Sequence, residues 1–323
     1  MPQLVLHTGG HSRLLAQLGS GLLEQRRLLR REGIGLRFRG IASPRKQWDQ
    51  LAAAIGRSQH EPWQRALRWQ RRWPRDTWLC SALFHRCLLR DRRFNHWRDW
   101  LEAQDLELRV VVHLLHPEEQ SWQAFVERIL QLKKTPPGAS ADADPRGAQV
   151  LLYNDLYNEL IEAAGVCGAR FVLHDQPRQP DWGSLLPPHG SMASTLDQPF
   201  WPSQAVKESP DPRLFALSLV VQQNLRNAAG GKPGKRLLRA AIATAAQQLP
   251  PLNQAEAKQM AREAGWSPPE GASLEAGLQR FASRVWGRSW PAPHPGNAED
   301  TPGSDLPERR NAIAAAAAQL LSC

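Results

Sequence analysis

A three-layer α/β/α fold on a parallel sheet, with a mainly α-helical C-terminal part, is the class this sequence predicts. Three observations carry the prediction. The chain opens with an apolar stretch, QLVLH (3–7), that runs into a Gly pair and then directly into a helical pattern. That is the strand, loop, helix order of a phosphate-binding turn in a parallel sheet. The segment LELRVVVHLL (106–115) is a near-continuous apolar run, as expected of a strand covered on both faces. Finally, strand and helix patterns alternate through the first half of the chain.

Each element can be justified in order. After the strand at 3–7, Ser12 to Arg31 reads as a helix with Leu14, Leu15, Leu18, Leu22 and Leu29 mostly on one face. Ser12 is its N-cap, and Gly33 and Gly35 follow its end. From Glu61 to Trp73, the residues Trp63, Ala66, Trp69 and Trp73 recur at helical spacing with arginines between them. DTWLCSALF supplies a second strand near 77–81, and the basic run Arg86 to Arg98 follows. The strand at 107–115 is stopped by Pro117, and a helix from about Glu118 to Lys134 places Trp122, Phe125, Ile129 and Leu132 in register. A polar Pro/Gly/Ala/Asp loop covers 135–148 and leads to a helix, AQVLLYNDLYNELIEAAG, and a strand at 169–174. The sequence divides into an α/β domain at 1–230 and an Ala/Gln-rich helical extension at 231–323 with a Pro/Gly-rich linker near 290–306. No internal repeat is evident.

Composition sets wider bounds. A chain of 323 residues with 41% hydrophobic residues can fill a sizeable core. The formal net charge is +10 and most of the positive charge is arginine. Arginine suits bidentate recognition of phosphate, sulfate or carboxylate, although biased codon usage gives the same enrichment. The four cysteines, Cys80, Cys87, Cys167 and Cys323, lack CxxC or finger spacing and read as reduced structural thiols. There is no apolar run of membrane-spanning length and no secretory signal pattern, so a cytoplasmic location is expected.

The stretch HTGGHSRLLA (7–16), the helix after it ending LLRREGIGLRF, and the later segments DTWLCSALF, LRVVVHLLHPEEQSWQAFVERI, LLYNDLYNELIEAAGVCGARFVLHDQPR and DPRLFALSLVVQQNLRN follow one another in an order that resembles the sulfotransferase-like P-loop family, in its bacterial branch. The resemblance covers about residues 3–230 and rests on order and hydrophobic pattern more than on identity. It implies a donor, 3′-phosphoadenosine 5′-phosphosulfate (PAPS), and a glycan or other hydroxyl acceptor. The family's opening motif keeps His7 and Gly9 here, but Ser12 stands at the lysine position, and Arg13, Leu14, Leu15 and Ala16 replace the Thr, Gly and two hydroxyl positions that follow. Ala82 stands where the family has an acidic residue, and Leu115 and Gln123 stand at the Arg and Ser positions that bind the 3′-phosphate. A slip of one or two residues in the alignment brings Arg13 onto the lysine position and Ser121 near the serine.

Sulfuryl transfer needs negative charge stabilised on the transferring group, so these replacements imply weakened or lost activity. The residues that remain as candidates are His11 and Arg13 for catalysis, and Gly9, Gly10, His11, Ser12, Arg13 and Ser121 for the cofactor. GGHSR (9–13) offers backbone N–H groups at a helix start, and it also fits an ordinary tight turn.

Other patterns have plainer readings beside the functional ones. HLLHPEE (113–119) holds two histidines and two carboxylates, but strand alternation puts His113 and His116 on opposite faces, against a metal site. Asp155, Glu159 and Glu162 form a solvated helix face. The Arg/Trp-rich region 61–100 is either two amphipathic helices with buried Trp or a surface for nucleic acid or an acidic glycan. That surface is the alternative to the sulfotransferase reading: a non-catalytic binding protein.

Overall fold

The computed structural model describes residues 2–9, 12–31, 33–38, 43–72, 76–88, 91–132, 170–174, 211–227, 234–268, 272–290 and 305–322. Five strands, β1 (Gln3–Thr8), β2 (Ile34–Gly35), β3 (Asp76–Cys80), β4 (Glu107–Leu115) and β5 (Arg170–His174), form one sheet in the order β2-β3-β1-β4-β5. Every pairing is parallel. The predicted α/β class, with its helical C-terminal part, is what the chain adopts. The helix at 149–165 and the loop at 135–148 lie outside the described residues.

The strands are buried for the reason their composition suggests. Leu4, Leu6, Leu79, Val112 and Leu114 are fully buried, as a central parallel sheet requires. Between β1 and β2 the expected single helix is two, α1 (Ser12–Glu24) and α2 (Arg26–Arg31), broken at Gln25. α2 is followed by Gly33, whose φ of 81° lies in the left-handed region that glycine enters without penalty. α3 (Pro44–Gly56) starts from an extended Ser43 with Pro44 in its first turn, a position where the missing N–H costs nothing. Its buried face is Trp48, Leu51, Ala52 and Ile55.

α4 (Glu61–Arg72), α5 (Ala82–Leu88) and α6 (Asp91–Glu102) follow. Trp63 and Trp97 are buried, with ring centroids 4.8 Å apart. The indole of Trp63 donates to Leu51 O at 3.0 Å and that of Trp48 to Leu36 O at 2.7 Å, so Trp63 and Trp48 bury area without stranding a polar atom.

The chain forms two compact units. One holds the residues up to His116 together with β5 and the segment from Gly277. There the edge strand β5 is covered: Trp286 donates its indole N–H to Phe171 O at 2.9 Å, and Phe171 meets Phe281 edge to face at 5.2 Å. The other unit is helical and holds α7 (Pro117–Leu130), residues 211–276 and the helix Leu306–Ser322. Its core joins Trp122, Phe125 and Ile129 of α7 to Phe215, Trp266, Ile313 and Ala317. Asn253 caps the helix Gln254–Glu263 in a capping box with Glu256, whose fully buried carboxylate also accepts from Arg309 at 3.0 Å.

Candidate functional site: the turn after the first strand

The strand order makes β1 a switch point. The chain leaves β1 for β2, returns as β3 on one flank of β1, and then opens β4 on the other flank. In open parallel sheets such a point leaves a crevice at the carboxyl ends of the strands, where ligands bind. Here that point of the sheet carries Thr8 and Gly9 after β1 and Ser81 after β3.

Gly9 is fitted tightly. A Cβ built on it would lie 2.3 Å from the backbone oxygen of His113 and 3.3 Å from a methyl of Leu15. Only glycine allows this approach of the turn to β4. On the other flank Ser81 N donates to His7 O at 3.1 Å and Thr8 Oγ1 donates to Ser81 O at 3.3 Å. The Ser81 hydroxyl accepts from Leu83 N at 3.1 Å and donates to the exposed Asp49 carboxylate at 2.6 Å. α3 thereby delivers a carboxylate to the end of β3. Arg45, one turn earlier, docks α3 onto α1 by donating to Ala16 O at 3.3 Å and to the Ser20 hydroxyl.

Below the turn lies a buried imidazole pair. His7 pairs in register with Val111, which puts His113 diagonally opposite on the same sheet face. His7 Nδ1 and His113 Nε2 are 3.1 Å apart, and the His7 ring also meets Trp78 at 5.0 Å. Burial without a carboxylate partner pulls His7 down to about 3. It is therefore neutral at physiological pH and brings no positive charge to the turn. Burial pushes the Cys80 thiol up, so Cys80 is a packing residue and not a nucleophile. Cys80 and Cys87 are both buried thiols.

Of the residues singled out by sequence, Gly9 stands at the turn as described. Gly10 and His11 lie outside the described residues. Ser12 and Arg13 open α1, with their side chains outside the description. Leu14 and Leu15, at two of the replaced motif positions, are buried in the core. The first turn of α1 thus packs apolar groups into the core. Leu115 is buried. Ser121 belongs to the helical unit, where its hydroxyl accepts the Trp266 indole N–H at 3.3 Å. Among the described residues no group of three His, Cys, Asp or Glu side chains is placed to hold a metal, and no helix is long and apolar enough to cross a membrane.

Two features of the candidate site are not legible in the sequence. The His7–His113 pair joins residues 106 apart, and only the β1–β4 register brings them together. Asp49 has no motif around it, and its relevance comes from the bond to Ser81. Fold and turn together define a parallel α/β protein with a glycine-built turn at its switch point. No protein-family model matches the chain, and neither the curated proteins nor the solved structures give a match.

Proposed function

We propose that the chain is a divergent sulfotransferase-like protein that binds the phosphate and sulfate groups of PAPS at the turn between β1 and α1. Transfer to a glycan or other hydroxyl acceptor is weakened or lost. The observation that carries this reading is the fit of Gly9 against His113 O at the switch point, where β1 leads toward α1. Backbone N–H groups at such a turn favour an anion.

PAPS supplies an activated sulfuryl group on a phosphate leaving group. The chain's own contribution is charge and position. His7 is neutral, and in this reading His11 and Arg13 supply the positive charge at the turn. Asp49, held by Ser81 at the end of β3, is the carboxylate available to take a proton from an acceptor hydroxyl, a role Ala82 cannot fill. Without the loop lysine, charge stabilisation in the transition state is reduced, which supports binding more than turnover.

Calorimetric titration with 3′-phosphoadenosine 5′-phosphate tests this directly. Micromolar binding that is lost in Arg13→Ala is expected. Absence of heat at millimolar ligand would overturn the reading. The alternative, recognition of an acidic polymer by region 61–100, has less to stand on, because Trp63 and Trp97 are buried against each other and cannot stack on bases or sugars.

A further inference from the structure

We propose that α2 is a docking surface for the phosphodiester backbone of duplex nucleic acid, independent of the chemistry at the β1–α1 turn. α2 is RRLLRR, and all four of its arginines, Arg26, Arg27, Arg30 and Arg31, are exposed. At about 100° per residue they fall within an arc of about 140°, as two i,i+4 rows side by side. Leu29, on the opposite face, is fully buried, and Leu28 is half-buried. The helix is pinned by one side and presents four guanidiniums on the other.

Among the described residues none of the four takes part in an ion pair. Like charges in i,i+4 rows repel and weaken a helix, so the arrangement costs stability unless an anion neutralises it. Elsewhere Arg65 is paired with Glu61, and Arg98 with Asp99 and Glu102.

The kind of anion follows from the surroundings. The patch carries no exposed large apolar side chain, the only one among the described residues being Leu237, far along the chain in the other unit. That disfavours a lipid surface, where a basic helix also inserts apolar groups. No described aromatic ring is exposed on α2 to stack bases, which disfavours single strands. Four guanidiniums on one helix face suit a partner that brings several phosphates within their reach, as a duplex does. α2 ends three residues before β2 begins, so it lies toward the amino ends of the strands, away from the Gly9 turn at their carboxyl ends.

The test is fluorescence anisotropy of the full chain with a labelled 20-base-pair DNA duplex, titrated between 50 and 200 mM salt. Four phosphate contacts predict a slope of about −3.6 in log affinity against log salt, a loss of about 150-fold across that range. The combined variant Arg26→Ala, Arg27→Ala, Arg30→Ala, Arg31→Ala should bind at least about 100-fold more weakly at 50 mM, and each single variant should reduce the slope by about 0.9. Alanine preserves helix propensity, and circular dichroism verifies the fold. If the combined variant unfolds, the single-variant slopes decide. Arg65→Ala with Arg68→Ala, both exposed on α4, should leave the slope unchanged. The proposal is overturned if the duplex does not bind at 50 mM, if the α2 variants bind as the parent does, or if heparin fragments of equal charge or anionic vesicles bind more tightly than the duplex.

Discussion

Replacing Gly9 with alanine tests the close approach on which the turn is built. Gly9 is not among the glycines with positive φ, so alanine meets no backbone penalty there, and by stiffening the unfolded chain it would ordinarily stabilise by about 0.4–1 kcal/mol. The steric term opposes this. The new Cβ would sit 2.3 Å from His113 O, inside the 3.0 Å that real Cβ contacts respect. The neighbour is backbone within a central strand, so it cannot rotate away, and about 1 Å of separation must be opened between the turn and β4. Overpacking of this kind costs about 1–3 kcal/mol, and a rigid neighbour places Gly9→Ala near the upper end. Urea unfolding should show a midpoint lower by about 1 M. Gly56→Ala is the control, since its Cβ would meet only Cys87 Sγ at an ordinary 3.8 Å, and it should be neutral or slightly stabilising. A Gly9→Ala protein as stable as the parent would refute the geometry of the turn, and with it the main support for an anion cradle.

Three further outcomes are expected. His7 holds a folded-state value of about 3 against 6.5 when unfolded, so between those values the unfolded chain binds the extra proton. Its contribution is complete above pH 6.5 and falls by about 1.4 kcal/mol per pH unit as the medium is acidified toward 3. His7→Asn, which does not titrate, should flatten the stability profile between pH 6.5 and 4, and an unchanged profile would contradict this. Arg309→Ala leaves the buried Glu256 carboxylate without its ion pair and should cost about 3 kcal/mol in thermal unfolding of the helical unit. Trp48→Phe, which strands Leu36 O by removing a 2.7 Å bond, should cost about 1–2 kcal/mol in urea.

How far the sequence reaches depends on whether the deciding interaction is local. β4 is legible because nine residues of nearly unbroken apolar character fit one kind of environment, and its bounds are those expected. α7 is legible from Trp122, Phe125 and Ile129, which recur at helical spacing. β2 is not, because Ile34 and Gly35 become a strand only by pairing with Asp76 and Thr77, some forty residues on. The break at Gln25 is equally hidden, since the leucine stripe runs through it. α3 is a different case: Ser43, Pro44 and the apolar Trp48, Leu51 and Ile55 are ordinary helix signals that the more conspicuous Trp/Arg segment overshadows. At the site, Gly9 and the helix start were readable from spacing. The imidazole pair and the Ser81–Asp49 bond are products of strand register and helix docking, which no local pattern encodes.

The way the sheet ends bears on how the molecule behaves when crowded. A parallel sheet with open flanks offers each flank as a template to the next molecule. One flank here is β2, only two residues long, too short for a stable ladder with another chain. On the other flank the Trp286 indole occupies the Phe171 carbonyl that an incoming strand would need. Edge-to-edge growth is therefore resisted at both flanks, by brevity at one and by a side-chain donor at the other. Removing the Trp286 indole would leave that carbonyl open to another donor.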